Sequence, residues 1–222
     1  MNRILSFVKL DYAALKPYIK SIYMFVVIVV FMGLVNDSIS LMFTMVMVGL
    51  PMILTYPFAI SEKNNLDTLY STLSLDRKDV VVGRYAFVLI NEIIAILVLV
   101  IVAIIKSNFK PLDMSSEELV LYVCILSMFF SFIVSFQYPI LFKLGYSKAK
   151  LYTYIPMMII FFLIGLFPSI VQRLNLNIDL EAVGHMIFTN LVPISLLTFS
   201  LGIIFLVLSA LISMKIYEKK DI

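Results

Sequence analysis

Six continuous apolar runs leave this chain little choice of surroundings. They cover residues Tyr18–Val35, Leu41–Ile60, Tyr85–Ile105, Leu119–Phe142, Leu151–Val171 and Leu191–Met214. At 1.5 Å rise per residue, about 20 residues cross the roughly 30 Å hydrocarbon layer of a bilayer. Each run is about that long. Backbone groups in lipid must bond within their own segment, and the runs do not alternate in polarity as barrel strands would, so helices are expected. Hydrophobic residues make up 62% of the 222, and mean hydropathy is +1.06. A soluble domain of this size has no interior large enough for that much apolar surface. The fold class expected is an all-α integral membrane protein: six transmembrane helices in one domain, residues 1–222, with no room for a separate soluble one.

About twenty residues precede the first apolar core, and no A-x-A-like site follows it. The first span is therefore expected to persist as an anchor and not to be cleaved as a signal. Cys124 is the only cysteine and lies in the fourth span. One thiol excludes an intrachain disulfide and a thiolate metal cluster.

The net charge of +3 is explained by the membrane edges and calls for no nucleic acid. Fourteen of the seventeen Lys and Arg fall in the N-terminal arm, the second and fourth connections and the C-terminal tail. The other connections carry Asp37, Asp113, Glu117, Glu118, Asp179 and Glu181. By the positive-inside rule, both termini and the second and fourth connections are expected in the cytoplasm.

Residues 2–17 read as an interfacial amphipathic helix. At 100° per residue, Asn2, Ser6, Lys9 and Lys16 share one narrow face, and Ile4, Leu5, Phe7, Val8, Tyr12 and Leu15 lie opposite. A basic face against a broad apolar one suits the edge of a membrane. Asp11 falls on the apolar side, where an unpaired carboxylate does not belong, so a partner on a neighbouring helix is expected. Pro17 permits a bend into the first span.

The segment 61–84 between the second and third spans is the most polar stretch near the bundle. Leu66, Leu69, Tyr70 and Leu73 are spaced i, i+3, i+4, i+7, one stripe of a helix, with Lys63, Asn64, Asp67, Thr68 and Ser71 on the other face. A short helix of this kind across the span ends is either an ordinary amphipathic loop helix or a docking surface for another protein. Asp76 is placed to cap the third span, with Asp79 in the capping-box position and near the positive end of that helix.

Pro51, Pro57, Pro139, Pro156 and Pro168 are candidates for kinks. Ser127, Ser131 and Ser135 recur every four residues, as do Thr198 with Gly202 and Ser209 with Ser213. Small residues at that spacing let helices approach closely, within the chain or between subunits. Residues 172–190 read as an outer region holding a short mixed helix before Pro193, on the surface or dipping into the outer leaflet.

Catalytic chemistry finds few residues. His185 is the only histidine, so no zinc set, Ser-His-Asp arrangement or H-E-x-x-H helix can be assembled. No G-x-x-x-x-G-K-[ST] loop exists, and ATP binding by this chain is not expected. Glu92 is the one acidic residue within a span. A charge at the bilayer centre costs about 2.5–3.5 kcal/mol on insertion scales, so such residues face a bundle interior or water. Asn91 stands beside it, and Gln137 in the fourth span is a possible partner. The three are candidates for a translocation path, or for structural hydrogen bonds that fix helix rotation.

The stretch Ser61-Glu62-Lys63-Asn64-Asn65-Leu66, followed by Leu73-Ser74-Leu75-Asp76-Arg77-Lys78-Asp79-Val80-Val81-Val82-Gly83-Arg84-Tyr85, resembles ABC-2 type exporter permeases. Members show an E-K start, a helix ending in S-L-P-x-x-R, and a V-x-[GS]-[KR]-Y run; here Asp76 follows Leu75 and the proline is missing. The resemblance implies six spans of the ABC-2, or type V exporter, plan, an N-terminal interfacial helix, outer re-entrant helices before span six, and a cytoplasmic coupling helix. It implies that Glu62, Lys63, Asn64, Leu66, Asp67, Leu69, Tyr70, Leu73 and Arg77 contact an ABC ATPase subunit that holds ATP and magnesium. It also implies a second permease, identical or related. In size and in its Met- and Phe-rich texture the chain is most similar to small Gram-positive permeases such as those that export phenol-soluble modulins. The expectation is a non-enzymatic permease of a bacterial plasma-membrane exporter, moving an amphipathic peptide or lipid-like substrate. The competing expectation, an ion- or proton-coupled carrier, calls for more ionisable groups in the spans and for internal repeats.

Overall fold

The computed structural model describes residues 3–35, 38–66, 76–112, 114–173, 186–187 and 189–219. Among the described residues all regular structure is helical. The helices are α1 (Arg3–Leu15), α2 (Ile19–Val35), α3 (Ile39–Ile53), α4 (Tyr56–Lys63), α5 (Arg77–Ser107), α6 (Ser116–Leu144), α7 (Tyr146–Ala149), α8 (Ile155–Arg173) and α9 (Leu191–Glu218). Short 3-10 turns, Lys16–Tyr18 and Tyr152–Tyr154, lead into α2 and α8.

Helix underlies every one of the six apolar runs. By length and composition, four stretches suffice to cross a membrane: Ile39–Lys63, Arg77–Ser107, Ser116–Leu144 and Leu191–Glu218. The pair Phe7–Tyr18 and Ile22–Val35, bent by 78°, makes five if it counts as one span. The apolar stretch Tyr152–Leu163, where the fifth run begins, is shorter.

The second run is broken at Leu54 and Thr55, between α3 and α4. Pro57 has no N–H to continue the ladder, and the Phe58 N–H turns to the Thr55 carbonyl at 3.0 Å. The bypassed Leu54 carbonyl accepts a bond from the Tyr138 hydroxyl of α6 at 3.0 Å. A buried acceptor in lipid is costly unless paired, so the break and the tyrosine belong together. Pro139, by contrast, is absorbed inside α6 without a break.

α9 lies along α6, and α3 and α8 also pack on α6; α5 packs on α1, α3 and α9. The α6–α9 contact is made by small residues. A Cβ on Gly202 would stand 3.3 Å from the Met128 Cα and 3.3 Å from the Ser131 Oγ. The Ser209 hydroxyl donates to the Ser135 carbonyl at 2.8 Å. Small residues spaced by four thus serve packing within the chain at this contact. Many large apolar side chains of α2 and α9, Tyr23, Phe31, Ile204, Val207 and Leu211 among them, are exposed.

Candidate functional site

Both arms of the 61–84 segment are fastened to other parts of the chain at one end of the bundle. On the first arm, a Glu62 carboxylate oxygen accepts the Ser147 N–H at 3.0 Å. Gly145, the residue that ends α6, has φ 75°. That left-handed geometry favours glycine, and a Cβ there would meet the same Glu62 oxygen at 2.9 Å. The close approach of Glu62 therefore depends on Gly145 twice over, through backbone conformation and through space.

On the second arm, Asp76 caps α5 by accepting the Lys78 N–H at 3.1 Å. Arg77 reaches the far end of the chain, donating to the Tyr217 carbonyl at 3.2 Å and the Glu218 carbonyl at 2.9 Å. These are among the last carbonyls of α9, which lack intrahelical partners, and a cation there also suits the negative end of the helix. Lys78 adds an exposed ion pair with Glu218 at 3.2 Å.

Between the arms lies a cavity of about 310 Å³ bounded by residues of α4, α5, α6, α7 and α9. Its walls combine Phe58, Phe142 and Tyr217 with Glu62, Arg84 and Lys148. The aromatic rings interlock, with centroids 4.9 Å apart for Phe58 and Phe142 and 5.3 Å for Phe142 and Tyr217. Tyr146, at the rim, keeps its proton strongly: burial first, then the neighbouring phenols of Tyr154, Tyr56 and Tyr18, raise its pKa above the usual phenol value.

Arg84 and Tyr85, the last two residues of the V-x-[GS]-[KR]-Y run, are buried. The Arg84 guanidinium lies 4.1 Å from the Phe58 ring centre, and its Nε is 3.8 Å from an Asp11 oxygen. Asp11 thus has the helix partner that its place on an apolar face called for. The Tyr85 hydroxyl bonds the hydroxyls of Ser209 and Ser213 at 2.6 and 2.9 Å. Sequence reasoning missed these partners. The resemblance marked Arg84 and Tyr85 as a motif but carried no information on what they touch.

The docking candidates divide. Glu62, Lys63 and Asn64 are exposed at the end of α4, Leu66 packs against the core, and Arg77 holds α9. Asp67, Leu69, Tyr70 and Leu73 lie outside the described residues. So do His185 and most of 172–190.

The three translocation-path candidates do not converge. Glu92 is buried and accepts a short hydrogen bond from Ser127 of α6. Gln137 is not its partner: it donates to the Thr153 carbonyl at 3.0 Å, across to the turn before α8. Asn91 donates to the Phe87 carbonyl at 2.7 Å and lies on a cavity of about 190 Å³, otherwise apolar, between α2, α3 and α5. No group of three or more metal-ligating side chains occurs among the described residues.

Residues 6–218 match a family model described as ABC-2 family transporter protein. No curated protein and no solved structure matches the chain.

Proposed function

Because the chain belongs to the ABC-2 family of transporter proteins, and is thus a membrane-embedded ABC transporter permease, we propose that it is one half of the membrane part of an exporter. The segment 61–84 is its cytoplasmic handle. The observation that carries this reading is the fastening of both arms: Glu62 to the turn after α6, and Arg77 with Lys78 to the end of α9. A push on a free loop would be lost in the loop. A push on this one is delivered to α6 and α9 together.

ATP and magnesium are held by a partner subunit, whose groove receives Leu69, Tyr70 and Leu73. Six spans, both termini inside, and pairing with a second permease complete the arrangement. The substrate class that suits it is an amphipathic or hydrophobic molecule, such as a membrane-active peptide, entering sideways from the inner leaflet; such a path needs few polar side chains. A carrier driven by protons has less support, because Glu92 is bonded to Ser127 and lines none of the cavities described above.

The test is to co-express the chain with the ATP-binding subunit from a neighbouring reading frame and purify through either one. Wild-type chains are expected to copurify as a complex whose ATP hydrolysis drives export. The variants Leu69→Asp and Tyr70→Asp should insert normally but lose the ATP-binding subunit. If both variants bind it and export at the wild-type rate, the handle is elsewhere.

A further inference from the structure

α1 is more than an anchor on the lipid surface. Its buried side chains Phe7, Val8, Asp11 and Leu15 form one stripe, turned inward. That stripe lies against α5 and α4. Its centre is a pair of charges: the side chains of Arg84 and Asp11 are 5% and 3% exposed. Around it, the Tyr12 ring meets the Phe87 ring edge-on at 4.9 Å. The partners on α5, residues 84 and 87, are three apart and so lie on one helix face.

Burying charge is expensive, and an apolar pair of the same shape is often as stable. The best-attested return on that cost is a fixed register. A purely apolar α1 would slide and roll on an apolar neighbour or on lipid at little cost. A carboxylate that must find one guanidinium does not. Arg84 also covers the Phe58 ring of α4, so a single side chain touches α1, α4 and α5. The helices α4 and α5 are the two arms that lead into and out of the 61–84 segment.

We propose that the Asp11–Arg84 pair locks α1 to the base of that segment, so that α1 and both arms move as one body and carry displacement into α2. The motion rests on the docking reading above; the lock itself does not.

The experiment measures spin-label distances between Lys9→Cys and Lys78→Cys, both exposed positions, in a Cys124→Ser background in lipid nanodiscs. It is run on the full chain alone and on its complex with the ATP-binding subunit, with and without trapped nucleotide. The wild-type pair is expected to give one narrow distance that is the same in all states. Asp11→Ala should lose it for a broad distribution. Asp11→Asn, which keeps the shape and removes the charge, should do the same, and it decides the matter if the alanine variant does not insert. The exchange Asp11→Arg with Arg84→Asp should restore the narrow distance. The lock is overturned if Asp11→Asn keeps it, if the exchange fails to restore it, or if the wild-type distance changes on trapping. Failure to form the complex would count against the docking reading alone, since the distances in the free chain still decide the lock.

Discussion

The two ends of the bundle are built differently. At the handle end, polar side chains tie segments far apart in sequence: Glu62 to Ser147, Arg77 to Tyr217 and Glu218, and Arg84 to Asp11. At the far end, Lys106 of α5 is buried and donates to the Gly33 carbonyl in the last turn of α2 at 3.0 Å. Tyr122 of α6 donates to the Ser40 carbonyl of α3 at 3.1 Å. Yet α6 and α9 part there. Where they run together they are zipped by Ser131, Ser135, Gly202 and Ser209; near their starts, Val120, Cys124, Val192, Leu196 and Phe199 line an apolar cleft of about 490 Å³. A bundle tied at both ends, but parted between α6 and α9 at the far one, passes force from the handle end and yields where it is open.

The strongest challenge to this contrast is at the zip between the ends. Gly202→Leu inserts a side chain where even a Cβ has 3.3 Å of room. Overpacking of this kind costs about 1–3 kcal/mol. The result expected is a clear fall in thermal midpoint in detergent, with the α6–α9 contact forced apart.

Next comes the handle end. Arg77→Ala removes two charge-assisted bonds to the last turn of α9, and bonds to charged groups are worth about 1.5–3 kcal/mol each when protected from water. One of these two is exposed, so the lower part of the range applies. Amide exchange should rise in residues 214–219, and export per ATP hydrolysed should fall.

At the far end, Lys106→Met removes a charge-assisted bond to Gly33 but also the cost of burying that ammonium, so the net loss is about 1 kcal/mol. Stability should drop modestly, and export per ATP should stay unchanged. A matching loss of coupling here would erase the distinction between the ends. Lys78→Ala is the smallest change: its pair with Glu218 is exposed and worth about 0–1 kcal/mol, so thermal midpoint and export should be indistinguishable from wild type.

Much of this arrangement was legible in the residues. The apolar runs marked where helices lie, and Asp11 on an apolar face announced a partner. The serine and glycine spacing in α6 and α9 marked a close contact. Asp76 caps α5, though through the Lys78 N–H.

Other features were hidden because they depend on depth and on contacts between helices. Glu92 was paired with Gln137 on chemistry alone. α5 leaves the handle end and α6 returns to it, so depth can be counted from Arg77 and Leu144. Glu92 then lies about 22 Å in, Ser127 about 26 Å and Gln137 about 10 Å. The serine is at the right level and the glutamine is not. The break at Leu54 was indistinguishable in sequence from the tolerated proline at Pro139, because Tyr138, which satisfies the freed carbonyl, is eighty-four residues away. Arg77 reaching Tyr217 and Glu218 left no local signature at all.

The central claim is that residues 61–84 face the cytoplasm, where a nucleotide-binding partner can grip them. Lys63→Cys in a Cys124→Ser background tests it most directly, using a membrane-impermeant thiol reagent on intact cells and on opened or inverted membranes. Labelling only after the inner face is exposed, and its suppression when the ATP-binding subunit is bound, is the expected result. Labelling of intact cells from outside would contradict it.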